Sequence, residues 1–224
     1  MTYEALPFPR SWLPVDGDPA RALESQADCI LLSPESLNRA RENRSQKPPR
    51  RFLHILNGAD ESAILHEMLR LAVACDLEGI FLSGRMNGAD LQRIDVLLSA
   101  CEATEGRQPG CTAIAAMPAE DAPSAMTLGG FAGKSRRLAA LGGGGDGIIQ
   151  SLGLKTGDAE PLRLVRGMTV LAAAGAGVPA LAGPSSGLSP EAFAAACRRD
   201  RADGFAGKLV CTPDEAIIAN GIFA

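Results

Sequence analysis

The stretch LAALGGGGDGIIQSLGLKTG (Leu138–Gly157) sets an apolar, strand-like run against four consecutive glycines and a single carboxylate, Asp146. Glycine lacks a Cβ, so Gly143, Gly144 and Gly145 let main chain come close to a ligand. A carboxylate at such a point can hold a hard cation such as Mg²⁺ through oxygen. A second carboxylate, water and substrate oxygens then complete the octahedron. Glu120 follows the preceding apolar run CTAIAAM (111–117), with Asp121 beside it, and is the matching second ligand. GGGGDG also satisfies G-x-G-x-x-G, but a dinucleotide fingerprint opens an early strand–helix unit and needs an acidic residue at the end of the next strand. Here the motif comes late and the next strand ends without one. FAGKS (131–135) carries the Gly-Lys-Ser of a phosphate-binding loop, but Leu128 stands where its first glycine belongs. A turn that binds nothing is the remaining structural reading of the glycines.

The other reactive side chains are few. Only His54 and His66 are histidines. His54 alternates with apolar neighbours in FLHIL, which suits a structural role better than general-base work. His66 falls within a helix, at its surface. The cysteines at 29, 75, 101, 111, 197 and 211 form no C-x-x-C pair and read as buried free thiols. Ser185 and Ser186 in AGPSSG either meet a ligand or shape a turn. Trp12 reads as core, and RRFLH and CRRDR as solvated charge runs.

These residues need a frame, and the apolar runs supply one. Strands are predicted at 11–15, 28–33, 51–57, 79–84, 111–117, 138–143, 179–183 and 207–211. Helices are predicted between them. DPARALESQ has Asp18 as N-cap and Pro19 at the first helical position. DESAILHEMLRLAVACD lays Ile64, Leu65, Met68, Leu69, Leu71 and Ala72 on one face, and GADLQRIDVLLSACEAT repeats the pattern. AEPLRLVRGMTVLAAAGAG ends in glycine, SPEAFAAACRRDRAD is capped by Ser189, and TPDEAIIANGIF by Thr212 with Glu215 three residues on. The second crossover, 35–50, is polar and reads as poorly ordered. Eightfold alternation of strand and helix implies an α/β fold, a (β/α)₈ TIM barrel, formed as a single domain over residues 1–224. Function then belongs at the C-terminal strand ends. The site candidates Asn57, Arg85, Glu120, Gly143–Gly145, Asp146 and Ser185–Ser186 all fall there.

Composition narrows the partners. The chain has 224 residues and a formal net charge of −4, with no basic stripe or zinc-finger spacing, which disfavours nucleic acid. No apolar run approaches the roughly 20 residues of a membrane span. MTYEALPFPR lacks the charged start and apolar centre of a signal peptide, so the cytoplasm is the expected location.

Four segments also resemble a known family. RSWLPVDGDPARALE (10–24) is similar to R-S-x-L-F-V-P-G-D-x-P-R-A-L, and LGGGGDGIIQSLGLKTG to G-x-E-D-L-x-x-x-L-G. RLVRGMTVLAAAGAGVPAL resembles A-R-x-x-x-x-x-A-A-x-A-x-G-x-x-A. DGFAGKLVCTPDEAIIANGIFA resembles G-F-x-G-K-x-x-I-H-P-x-Q-x-x-x-x-N-x-x-F. These are motifs of the HpcH/HpaI aldolase/citrate lyase β-subunit-like family. The resemblance implies a TIM-barrel carbon–carbon lyase that binds Mg²⁺ through a Glu and an Asp. It implies a small 2-oxo or hydroxy carboxylate, or its CoA thioester, as substrate, reacting through a metal-stabilised enolate. A homo-oligomer, trimer or hexamer, is implied too. Asp146 falls on the Asp ligand. Glu120 falls on the Glu ligand by ungapped spacing, whereas strand pattern would put Pro118 there.

The departures are at substrate-binding positions. The family's arginine in V-R-V-N is Ile55, its lysine in L-P-K is Gly84, its I-H-P histidine is Thr212, and the glutamate of E-D is Gly145. Lys or His cannot copy a bidentate arginine clamp, so Arg85 and Arg10 are the candidate catalytic cations. Gly143, Gly144, Gly145 and Asn57 are the candidate substrate-binding residues. The alternative is a catalytically degenerate barrel that binds a ligand or a partner.

Overall fold

The computed structural model describes residues 7–15, 19–40, 49–56, 62–155 and 159–224. Eight parallel strands close in chain order: β1 Ser11–Val15, β2 Cys29–Leu32, β3 Arg50–Leu56, β4 Gly79–Ser83, β5 Ala113–Ala119, β6 Leu138–Gly143, β7 Ala180–Ala182 and β8 Gly207–Leu209. β8 returns to β1 through Ser11↔Lys208 and Trp12↔Leu209. The crossovers carry α1 Ala20–Leu23, α2 Pro34–Ala40, α3 Ser62–Ala74, α4 Gly88–Thr104, α5 Ala122–Ala125, α6 Asp146–Ser151, α7 Glu160–Ala176, α8 Pro190–Ala202 and α9 Pro213–Ile222. The TIM barrel expected from the alternation is the fold observed.

Period-2 alternation sorts the strand residues into two cores. Trp12, Cys29, Leu31, Phe52, Phe81, Ala115, Met117, Ala140, Leu181 and Leu209 fill the barrel. Trp12 is central, with Phe52 at 5.0 Å in edge contact and Phe81 at 6.0 Å. The intervening residues, among them Ile30, Leu53, Ile55, Ile80 and Leu82, pack outward against the helices. Ser189 caps α8 and Thr212 caps α9 as expected, and Gly177 ends α7 in the left-handed conformation at φ 72°.

Several local expectations change. Pro19 is the cap of α1 rather than its first residue, and Asp18 lies outside the described residues. The polar second crossover contains α2, started by Ser33, whose hydroxyl accepts from Ser36 N at 3.2 Å. Residues 41–48 of that crossover lie outside the described residues. Ile64 faces solvent, because Leu65, Leu69, Ala72 and Val73 form the buried stripe of α3. Cys111 and Cys211 are exposed, while Cys29, Cys101 and Cys197 are buried as expected. No helix among the described residues is long and apolar enough to cross a membrane.

The N-terminal face is braced by a buried ion cluster. Arg137, just before β6, is bidentate to Glu102 at 2.7 and 2.8 Å and reaches Asp95 at 2.5 Å. Glu102 also accepts from Gly110 N at 2.7 Å and Thr112 N at 2.9 Å. Burial alone would raise the Glu102 carboxyl. Arg137 and these N–H donors outweigh it and hold the group at about 2, against an ordinary 4.5. Its contribution to stability is therefore complete above pH 4.5 and lost as pH falls towards about 2. Glu102→Gln should cost about 3–5 kcal/mol at neutral pH, as breaking a buried pair does. Urea denaturation from pH 7 to 2.5 should show the gap to wild type closing on the acid side.

Candidate functional site

The C-terminal strand ends form the mouth, and the glycine tract shapes its β6 side. Gly143 (φ 150°) and Gly144 (φ 76°) hold conformations that a side chain strains. A Cβ at Gly143 would stand 2.1 Å from Ala119 Cβ, and one at Gly144 would meet Arg166 Cγ at 2.7 Å. At Gly145 it would meet the Gly183 main chain at 2.8 Å. The tract is thus packed against β5, α7 and the β7 loop, not a loose turn. Gly144 and Gly145 also line a cleft of about 490 Å³ beside the mouth, bounded by α6, α7 and the β7–α8 segment, whereas Gly143 is not in that lining.

Gly145 caps α6, which puts Asp146 at its first residue. Asp146 Oδ2 accepts from Ser186 N at 2.9 Å and from Ser186 Oγ at 2.6 Å. Ser186 Oγ lies 3.7 Å from the Cys211 thiol, at the exit of β8. Asp146 and Ser186 line the same cleft. Ser186, undecided between ligand and turn in the sequence, is the residue that holds this carboxylate.

Glu120 emerges from the end of β5, after a register irregularity between Ala116 and Ala119. Pro118 lies inside the strand, so Glu120 is the residue at the mouth. The first turn of α6 is seated on it: a Cβ on Gly147 would lie 2.9 Å from Glu120 Cβ. Asp146 and Glu120 are therefore neighbours across one turn, though their side chains take different partners. Glu120 accepts from the Gly84 N–H of the β4 exit. Burial and the adjacent Asp121 charge push its carboxyl above the usual range, against that N–H. Asp121 goes the other way. Burial would raise it, but the Ser124 N–H, donating to Oδ1 at 2.8 Å, and Arg85 together hold it down. A partly buried, anion-flanked carboxylate one turn from another is a donor pair suited to a hard cation. Among the described residues no three His, Cys, Asp or Glu side chains gather into a metal-binding group, so water or substrate oxygens would have to complete the shell.

Arg85 stands at the β4 exit, mostly exposed, with Nε donating to Asp121 Oδ2 at 3.0 Å. Arg10 does not join the site. It precedes β1 and so lies at the opposite end of the barrel, bound through Nε and Nη2 to Asp28 at 2.8 and 3.0 Å and through Nη1 to Asn220 O at 3.1 Å. Contrary to the catalytic role expected of it, Arg10 is held away from the mouth by these bonds. Asn57 lies outside the described residues. Ile55, where the resembled family has arginine, faces the helices, and the neighbouring interior position is His54. His54 Nε2 and Ser83 Oγ are 2.7 Å apart, and the ring meets Phe81 edge-on at 5.5 Å.

Two residues of the site region were missed in the sequence. Lys208 stands in the strand GKLVC and at the lysine of the segment similar to G-F-x-G-K, with no role read for it, and Asp200 stands in the charge run CRRDR. Both are buried and paired at 2.7 Å behind the β7 loop. The available signal was a lysine alternating with apolar residues inside GKLVC.

Comparison with known proteins supports the fold. No protein-family model and no curated protein matches the sequence. Among solved structures, RipC from Yersinia pestis is 20% identical with a TM-score of 0.75, over 96% of this chain and 95% of that one. The malate synthase of Haloferax volcanii is 17% identical with a TM-score of 0.80, over 95% of this chain and 74% of that one. A CitE protein from Mycobacterium tuberculosis, solved with magnesium, acetoacetate and coenzyme A, is 19% identical with a TM-score of 0.71, over 96% and 80%. At these identities the likeness is one of fold: the chain is a TIM barrel of the shape shared by malate synthase and CitE.

The packing of the tract gives a direct expectation. Gly143→Ala should lose about 3 kcal/mol or more, from overpacking and a strained φ together. Gly129→Ala meets nothing within 4 Å and should stay within about 1 kcal/mol of wild type. Chemical denaturation of the two variants checks both.

Proposed function

We propose that the chain is a Mg²⁺-dependent carbon–carbon lyase acting on a small 2-oxo or hydroxy carboxylate or its CoA thioester. The observation that carries this is the pair Glu120 and Asp146, brought from adjacent strand ends to the two sides of one glycine-rich turn. The fold likeness adds to it, since CitE was solved with magnesium, acetoacetate and coenzyme A, and malate synthase with magnesium and glyoxylate. The segments similar to the HpcH/HpaI aldolase/citrate lyase β-subunit-like family point the same way.

When bound, the cation supplies a Lewis acid that draws electron density from the substrate's carboxylate and carbonyl oxygens. Glu120 and Asp146 hold it. Ser186 orients Asp146, and the Gly84 N–H orients Glu120. Arg85, steadied by Asp121, meets the substrate's carboxylate from the β4 side. Gly144 and Gly145 present bare main chain to the part of the substrate that extends into the adjoining cleft.

The second reading, a barrel that binds without catalysing, is favoured by one observation. The family's β3 arginine position holds an outward-facing isoleucine, and Arg10 is tied up at the far end. Arg85 therefore decides between the two. In thermal-shift titrations, saturating Mg²⁺ should stabilise wild type by about 2–3 kcal/mol at 100 times Kd, a rise of several degrees. Asp146→Ala and Glu120→Gln should lose most of that rise. Arg85→Ala should keep it but lose the further rise that oxaloacetate or pyruvate gives to the Mg²⁺-loaded protein. No Mg²⁺-linked rise in wild type, or equal rises in wild type and Asp146→Ala, would overturn the proposal.

A further inference from the structure

We infer that Lys208 is a positioning residue for Asp146, acting through the loop Gly183–Ser186; the inference rests on reading Asp146 as a cation ligand. Lys208 lies on β8 between Gly207 and Leu209 and points outward under α8, with only 1% of its surface exposed. Its ammonium carries three N–H donors, and all three have partners. They are Asp200 Oδ2 at 2.7 Å, Gly183 O at 2.9 Å and Ser185 Oγ at 3.0 Å. The Phe193 ring closes another side, 5.9 Å away. Asp200 is itself fixed by Arg166, whose Nη2 donates to it at 2.7 Å and to Asp203 at 2.7 Å.

Burying an ammonium costs several kcal/mol, and a well-packed apolar residue is often as good or better for stability. A charge at this position is therefore best explained by what it fixes. Two of its three bonds go to consecutive parts of the β7 loop. The next residue, Ser186, supplies both hydrogen bonds to Asp146 Oδ2. The loop has little slack, because a Cβ on Gly183 would come within 2.6 Å of the Gly145 main chain. Displacement of the loop thus reaches Asp146 from two directions, through Ser186 and through Gly145. Groups that orient a metal ligand in this way typically carry a 10–100-fold share of metal affinity.

The test uses full-length protein and Mn²⁺ as the probe, with free Mn²⁺ counted by electron paramagnetic resonance. Ser186→Ala and Lys208→Met should each weaken binding about 10–100-fold. Ser185→Ala, which removes one of the three ammonium partners, should weaken it several-fold. Because Lys208 acts in large part through Ser186, the Lys208→Met/Ser186→Ala double variant should lose clearly less affinity than the product of the two single losses. Wild-type affinity in Lys208→Met, or full additivity in the double variant, would overturn the inference. Should Lys208→Met fail to fold, wild-type affinity in Ser185→Ala overturns it instead. If wild type takes up no Mn²⁺, or Asp146→Ala binds as wild type does, the cation reading falls and this inference with it. Unchanged affinity in the Lys208 and Ser185 variants, with binding still dependent on Asp146, sinks the inference alone.

Discussion

The mouth of this barrel is organised by main chain touching main chain where β6 ends. Gly143 lies against Ala119, Gly145 against Gly183, and Gly147 against Glu120, each too close for an intervening Cβ. Those contacts draw the exits of β5, β6 and β7 together and set α6 directly on Glu120. The same closeness places Asp146 one residue from the Glu120 contact and within reach of Ser186. Interiors are packed tightly enough that a single methyl group is felt, so four side-chain-free residues in succession are what this geometry requires.

Beneath that contact lies a second layer of polar support. Lys208, Asp200 and Arg166 form a buried network behind the β7 loop, while Ser124, Asp121 and Arg85 form a more exposed one at the β5 exit. The two networks flank the pair Glu120 and Asp146 from opposite sides. The far end of the barrel is served differently, by Arg137 with Glu102 and by Arg10 with Asp28, whose partners are complete within the protein. Arginine–carboxylate pairs thus brace the far end, while at the mouth burial and the Asp121 charge raise the Glu120 carboxyl.

Much of the fold was legible because strands buried on both faces read as short, nearly continuous apolar runs between polar segments. All eight strands appear within a few residues of their predicted bounds. α2 was overlooked because its composition is polar, although Ser33 and Pro34 supply an N-cap and first-residue signal. Of the candidate site, the placement of Asp146 and Glu120 at the mouth was legible from position alone, since a residue just past an apolar strand must stand there. The same rule excludes Arg10, which precedes its strand. The partners of these residues were not legible. Ser186 lies forty residues beyond Asp146, and Asp200 sits among arginines that suggest solvent. Which face of β3 carries Ile55 depends on register, and a one-residue shift exchanges the barrel interior for the helix layer.

The proposed function requires one hard cation between Glu120 and Asp146 at the open end of the barrel. Anomalous diffraction from crystals soaked in Mn²⁺ tests it most directly. A single strong peak is expected within bonding distance of a carboxylate oxygen of each residue, with the Ser186 bond to Asp146 retained. No peak at the mouth, or one that leaves either carboxylate outside its coordination shell, would contradict it.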